Sequence, residues 1–136
     1  QIDYMLAQGY HPDTLAQEQA AGAHLVIAYR HDTAAGFAGL SLDATDTPTI
    51  AWLDKLYVHA RARGTGVGRA LHDYACQWAR DHGARALRLR VNRHNNVAIA
   101  VYQRLGFTIE AEDSKPIGHD FVMDDYIMAQ PLVADD

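Results

Sequence analysis

The sequence predicts a single α/β (α+β) domain, a mixed sheet flanked by helices. Three observations predict it. Short apolar runs over residues 24–29, 35–42 and 49–58 are separated by polar turns, the mark of successive antiparallel strands. The run ending at Val58 then passes through a glycine-rich turn into an amphipathic stretch over 67–82 and a further strand over 86–91. A strand–helix–strand unit of that length requires a parallel crossover. Finally, the chain has 136 residues, 49% of them hydrophobic, which is enough for one core and fits one domain.

Taken in order, residues 1–9 read as a helix, with Ile2, Met5 and Leu6 on one face and Gly9 as its stop. A second helix over 12–21 opens on Pro12, a favourable first helical residue, and stops at Gly22. Strands follow over 24–29, 35–42 (broken by Gly36 and Gly39) and 49–58, with polar turns at 30–33 and 43–48. In the helix over 67–82, Val67, Leu71, Tyr74, Ala75, Trp78 and Ala79 share one face. Arg69, His72, Asp73, Gln77, Arg80 and Asp81 are expected to face solvent, and Gly83 sits where a C-terminal cap belongs. Leu87, Leu89 and Val91 alternate with Arg88 and Arg90 in a strand over 86–91. A polar break at 92–96 leads to a short helix over 97–105, closed by Gly106. Strands over 107–112 and 121–128 flank a polar loop around 114–118, and only the tail at 133–136 reads as loose.

Composition excludes several classes of function. A net charge of -5 argues against nonspecific nucleic-acid binding. The single cysteine, Cys76, leaves no internal disulfide and suits a reducing, cytoplasmic setting. It falls within the long helix and reads as a buried thiol. No apolar run is long enough to span a membrane, and no signal peptide is evident. The eight histidines are scattered without metal-ligand spacing, so no metal site is expected. No Ser or Cys occupies a nucleophile motif such as Gly-x-Ser-x-Gly.

The chemistry concentrates in Arg63-Gly64-Thr65-Gly66-Val67-Gly68-Arg69. The first N–H groups of a helix have no internal partner and sit at the positive end of its dipole. Glycines there let a pyrophosphate approach the backbone. A tight turn that needs positive φ explains one glycine; three at a strand-to-helix junction point to phosphate, with Arg63 and Arg69 adding charge. The Rossmann pattern does not fit, because Arg69 stands where its third glycine belongs and no carboxylate lies near 87–90. A P-loop does not fit either, since Gly68-Arg69-Ala70 is not Gly-Lys-Ser/Thr.

The segment resembles the acetyl-coenzyme A loop of the GNAT acetyltransferase superfamily, Arg/Gln-x-x-Gly-x-Gly/Ala, on Arg63, Gly66 and Gly68. A second stretch resembles the family's Asn-x-x-Ala-x-x-x-Tyr-x-x-x-Gly-Phe signature, on Asn95, Ala98, Tyr102, Gly106 and Phe107. The resemblance covers roughly residues 24–130. It implies a mixed sheet splayed open between the strand ending at Val58 and the strand ending at Val91, with acetyl-CoA in the split. The family usually begins with one more strand and helix than the sequence reveals. The single domain over 1–136, which starts at Gln1, is therefore expected to lack them. Stretches around Tyr4 to Tyr10, Lys55 to Val58 and Ile117 to Met128 resemble the bacterial polyamine (spermidine/spermine) N-acetyltransferase-like group.

Transfer of an acetyl group from a thioester to a primary amine makes three demands. An alkylammonium with a pKa near about 10.4 must lose a proton. The thioester carbonyl must be polarised, and the departing thiolate, with a pKa of about 8.5, must be protonated. The resemblance assigns the pyrophosphate to the backbone of Arg63, Gly64, Thr65, Gly66, Val67, Gly68 and Arg69. It assigns the pantetheine arm to the backbone of Leu56 and Val58, with the Val58 N–H on the acetyl carbonyl. Asn95, with Ala98 beside it in the signature, adds a hydrogen bond to the arm. Tyr102 is the implied acid toward sulfur. For the base, Asp54 shares strand parity with Leu56 and Val58; Asp124, Asp125, His119 and a water chain are alternatives. Asp124 and Asp125, with Asp120, equally suit a cationic substrate.

The expected partners are thus acetyl-CoA and a primary-amine acceptor, a polyamine or other small amine, with no nucleic acid and no membrane. Family members often pair through their C-terminal strands, so a homodimer is also expected. Acetylation of a protein N-terminus or lysine is the alternative within the same chemistry. A non-catalytic coenzyme A-binding regulatory domain is the alternative outside it.

Overall fold

A computed structural model of the chain describes residues 5–8, 23–43, 49–118 and 121–132. In chain order these form β1 (Met5–Gln8), β2 (His24–Arg30), β3 (Thr33–Asp43), β4 (Ile50–Val58) and a 3-10 turn (Ala60–Ala62). Next come α1 (Val67–Asp81), β5 (Ala86–Asn92), α2 (Asn96–Arg104), β6 (Thr108–Gly118) and β7 (Phe121–Pro131). The strands make one mixed sheet in the order β1-β2-β3-β4-β5-β7-β6. All neighbours are antiparallel except β4 and β5.

Two readings of the sequence change here. Met5–Gln8, expected to be helical, is a strand paired with Val26–Tyr29. A helix as short as the one expected over 1–9 is marginal on its own, while an extended segment gains a ladder of hydrogen bonds from β2. The expected polar loop at 114–118 is the continuation of β6, which pairs with β7 in a long hairpin with register shifts at 109–111 and 116–118. The expected helix over 12–21, the tail, His119 and Asp120 lie outside the described residues.

The core is the α1 side of the sheet. Val26, Ala28, Ala38, Leu40, Ala51, Leu53, Leu87 and Leu89 are buried against Val67, Leu71, Ala75 and Ala79 of α1. Full burial of a leucine such as Leu40 or Leu71 stabilises the fold by about 1.5–3 kcal/mol. The opposite side of β5 carries arginines. Arg88 pairs with Glu110 at 3.0 Å, and Arg90 pairs with Asp113 while its guanidinium stands 5.4 Å from the Trp52 ring.

One α1 residue departs from its expected face. His72 is buried, only 3% exposed, with its Nε2 at 2.6 Å from Gln130 Oε1 of β7 and at 3.4 Å from Cys76 Sγ. Helical periodicity placed it with the polar residues. The hydrogen bond to Gln130 lets the imidazole sit indoors, and its ring meets Phe107 edge-on at 5.5 Å. Cys76 is buried as expected, and desolvation pushes its thiol pKa up.

Candidate active site

The feature that organises the site is a short parallel contact. β4 and β5 pair only over Ile50–Trp52 and Ala86–Arg88. Beyond Trp52, β4 runs on to Val58 beside β3, and β5 runs on to Asn92 beside β7. The two strands therefore part like a V, and beyond Trp52 this edge of β4 has no strand partner among the described residues. Both point the same way, so α1 and α2, which follow them, begin at the open end of the V. Crevices at the carboxyl ends of parallel strands are where α/β folds take ligands.

Backbone direction on β4 can be read from one bond. His59 N–H donates to Ala35 O at 2.8 Å, so His59 faces β3. Antiparallel alternation then turns the N–H and C=O groups of Val58 and Leu56 away from β3, toward the open edge. Their side chains pack on the α1 side of the core. The sequence reading named these two residues for the pantetheine arm, and they are the ones whose backbone groups face the split.

At the mouth of the V, Gly64 and Gly66 adopt φ of 78° and 93°. Gly66 is the N-cap of α1, with no side-chain capping bond and no acidic residue in the first turn. The N–H groups at the start of α1 are left without a side-chain acceptor. Gly68 differs: its φ is not positive, and an added Cβ would meet only Val58 Cγ2, at an ordinary 3.7 Å. A glycine in a helix costs about 0.5–1 kcal/mol relative to alanine, and nothing in the protein itself calls for it there. Thr65 folds its hydroxyl and N–H back onto the Ala62 carbonyl, which fixes the loop. Arg63 is exposed, whereas Arg69 reaches Arg104 O at the end of α2, 3.3 Å away. Both flanking arginines are exposed.

Asn95 is the N-cap of α2, its Oδ1 accepting from Ala98 N–H at 3.2 Å. Its oxygen is committed to the helix cap. Tyr102 is half-buried, with its ring edge-on to Phe107 at 6.0 Å. Desolvation raises its phenol above the ordinary 10.0. A phenol that holds its proton is suited to acid catalysis and unsuited to acting as a base.

Asp54 lies just past the last paired residue, Trp52, at the crotch of the V. Leu53 pairs with Leu40 and Lys55 with Gly39, so Asp54 is the inserted residue of a β-bulge. The parity argument from the sequence does not carry through it, because a bulge breaks the period of two. Its carboxylate accepts from Ser41, and Ser41 stands opposite Trp52 on the side away from α1. Desolvation, partly offset by Ser41 and Lys55, pushes its pKa above the ordinary 3.8.

Asp124 and Asp125 do not share a pocket. Successive strand residues face opposite ways. Asp124 pairs with Arg93 Nε at 2.9 Å, and Arg93 also meets Glu112 at 3.3 Å and stands 5.2 Å from the Tyr126 ring. Asp125 stands opposite Asn92 and Asp113. Among the described residues, no group of three His, Cys, Asp or Glu side chains is arranged to hold a metal ion, and no helix is long and apolar enough to cross a membrane.

An open-edged strand, a parallel neighbour that leaves it, and a glycine-rich helix start at the mouth define an α/β protein with a crevice for an extended, phosphate-bearing ligand. Residues 3–107 match the acetyltransferase (GNAT) family, well over half of the 136-residue chain. The chain belongs to that family. It is 38% identical over 80 residues to the streptothricin acetyltransferase of Streptomyces lavendulae, a match covering 59% of this chain and 41% of that one. It thus spans about two fifths of the length of that curated relative. Among solved structures, nourseothricin acetyltransferase is similar with a TM-score of 0.72 at 25% identity, over 97% of this chain and 86% of that one. The PaiA N-acetyltransferase of Thermoplasma acidophilum, solved in complex with coenzyme A, has a TM-score of 0.70 at 24% identity, over 88% of this chain and 67% of that one.

Proposed function

We propose that this chain is an acetyl-CoA-dependent N-acetyltransferase that acetylates a primary amine of a small molecule by direct attack. The observation that carries the reading is the open edge of β4, with the backbone groups of Leu56 and Val58 turned into a split whose mouth is a glycine-rich, uncapped helix start. Acetyl-CoA, when bound, supplies an acyl group activated as its thioester. The chain supplies the rest. N–H groups of the 63–69 loop bind pyrophosphate charge. Leu56 and Val58 hold the pantetheine amides as an added strand would be held. The Val58 N–H is directed at the carbonyl oxygen where charge develops. Asn95 donates through its amide.

Asp54 is the base we favour, acting directly or through water to take the proton from the acceptor ammonium. It stands where the strands separate, and its raised pKa moves it toward useful basicity. Tyr102 donates its phenolic proton to the departing thiolate sulfur. No covalent enzyme intermediate is needed, and Cys76 is buried away from such a role.

Two of the named relatives, called streptothricin acetyltransferase and nourseothricin acetyltransferase, support a small-molecule amine as acceptor. A polyamine belongs to the same class. The separation of Asp124 from Asp125 gives that narrower acceptor no paired-carboxylate pocket. The test is coenzyme A release from acetyl-CoA against spermidine, spermine, putrescine, streptothricin, free amino acids and lysine peptides. Release with a small amine alone is the expected result. Release with peptides alone moves the reading to protein acetylation, and tight acetyl-CoA binding with no release for any amine moves it to a regulatory role.

A further inference from the structure

Three polar side chains between α1 and β7 have no part in the reaction derived above. Gln130 faces the α1 side of β7, as its cross-strand partner Leu87 does. Its Oε1 lies 2.6 Å from His72 Nε2 and 3.9 Å from Cys76 Sγ. An amide oxygen only accepts, so the imidazole donates from Nε2. An apolar pair of the same shape would fill this place at little or no loss of stability. What a satisfied polar pair adds is a single orientation.

Both members of the pair bear on the turn that follows α2. The His72 ring stands edge-on to Phe107 at 5.5 Å, and the fully buried Phe107 stands edge-on to Tyr102 at 6.0 Å. The Gln130 amide nitrogen lies over Gly106, whose φ is 107°; a Cβ there would come within 2.7 Å of it. The Phe107 N–H donates to Tyr102 O at 3.0 Å, and Arg69 of α1 donates to Arg104 O. So α1 and β7 together fix the end of α2. The Tyr102 phenol makes no hydrogen bond among the described residues, so packing aims its ring.

The phosphate loop opens α1, and α2 carries the phenol. The docking of the two helices therefore sets where the phenol stands relative to a thioester tethered at the loop. An acid must reach the atom it protonates, and a misplacement of about 1 Å can slow a reaction by about 10²-fold. We propose that Gln130 and His72 are positioning residues for Tyr102: locked to each other, they fix Phe107, and Phe107 holds the phenol toward the split. This rests on Tyr102 as the acid, as proposed above, and adds what aims it.

The experiment crosses His72→Leu/Gln130→Met, an apolar pair, with Tyr102→Phe in a double-mutant cycle. Turnover is measured with acetyl-CoA and the amine that releases coenzyme A in the panel above. The pair variant should lower kcat by about tenfold or more, shift KM for acetyl-CoA by less than about twofold, and lower kcat no further in the Tyr102→Phe background. Phe107→Leu, which leaves the pair in place, is the second variant and should behave alike. Carbon NMR of tyrosine-labelled protein needs no acceptor. The Tyr102 ring signals, identified by their loss in Tyr102→Phe, should move in both variants. An equal fall in kcat in both backgrounds overturns the proposal, as does an unchanged kcat or a set of Tyr102 signals that stays in place. A Tyr102→Phe protein with unaltered kcat overturns the acid reading instead.

Discussion

Gly68→Asp separates what the protein needs at the start of α1 from what a ligand needs. In the free protein this change should be favourable. Gly68 has ordinary helical backbone, and its Cβ position touches only Val58 Cγ2, at 3.7 Å. Aspartate gains a few tenths of a kcal/mol of helix propensity over glycine. A carboxylate in a first turn that now has no acidic residue gains a further 0.3–1 kcal/mol, roughly, against the helix dipole. The free protein should therefore become more stable by about 1 kcal/mol, raising its melting temperature by about 3–5 °C for a chain of this size. Coenzyme binding should move the other way. The carboxylate would take up first-turn N–H groups and repel the pyrophosphate. Loss of two charge-assisted bonds, at about 1.5–3 kcal/mol each, weakens binding by a factor of about 10² or more. Thermal melts and calorimetric titration with coenzyme A measure both. A variant that is stabilised yet binds coenzyme A within threefold of the unaltered protein would refute the phosphate-loop reasoning.

Three other expectations follow from the same structure. Tyr102→Phe should lower kcat by about 10²-fold or more while leaving KM for acetyl-CoA little changed; its high-pH limb, set by a phenol raised above 10.0, should vanish with it, and an unaltered kcat removes Tyr102 from the acid role. Asp54→Asn tests linkage: a folded-state pKa raised above 3.8 contributes stability below that pH and loses it as pH rises through the folded value. The variant should thus melt above the unaltered protein at pH 7 and match it below pH 3.8, and a variant that melts lower at pH 7 contradicts the desolvation argument. His72→Ala leaves Gln130 without its imidazole partner and opens a cavity beside Phe107, so urea unfolding should show a loss of about 2–4 kcal/mol; a change under 0.5 kcal/mol or so would mean the pair contributes little.

The elements legible in the sequence were those set by local pattern. The β4–loop–α1–β5 unit and the Gly83 stop follow from spacing and residue type, whereas the split between β4 and β5 is implied by the family resemblance, and Asn95, the cap of α2, reads in the sequence only as part of a polar break. What was hidden depended on partners distant in sequence. Met5–Gln8 has a helix-like apolar spacing, and only the free edge of β2 makes it a strand. The Asp54 bulge is a mismatch in length between β3 and β4, which neither strand reveals alone. His72 looks solvent-facing until Gln130, 58 residues later, arrives beside it. Asp124 and Asp125 look like an acidic pair, yet strand alternation separates them and Arg93 binds the first.

The most direct test of the central claim is amide hydrogen exchange at Leu56 and Val58 with and without acetyl-CoA. Their N–H groups face an edge that β5 has left, so they should exchange readily in the free protein and become protected, together with the N–H groups of 64–69, when acetyl-CoA is added. Protection elsewhere, with Leu56 and Val58 unchanged at saturating acetyl-CoA, would contradict the split as the seat of the coenzyme.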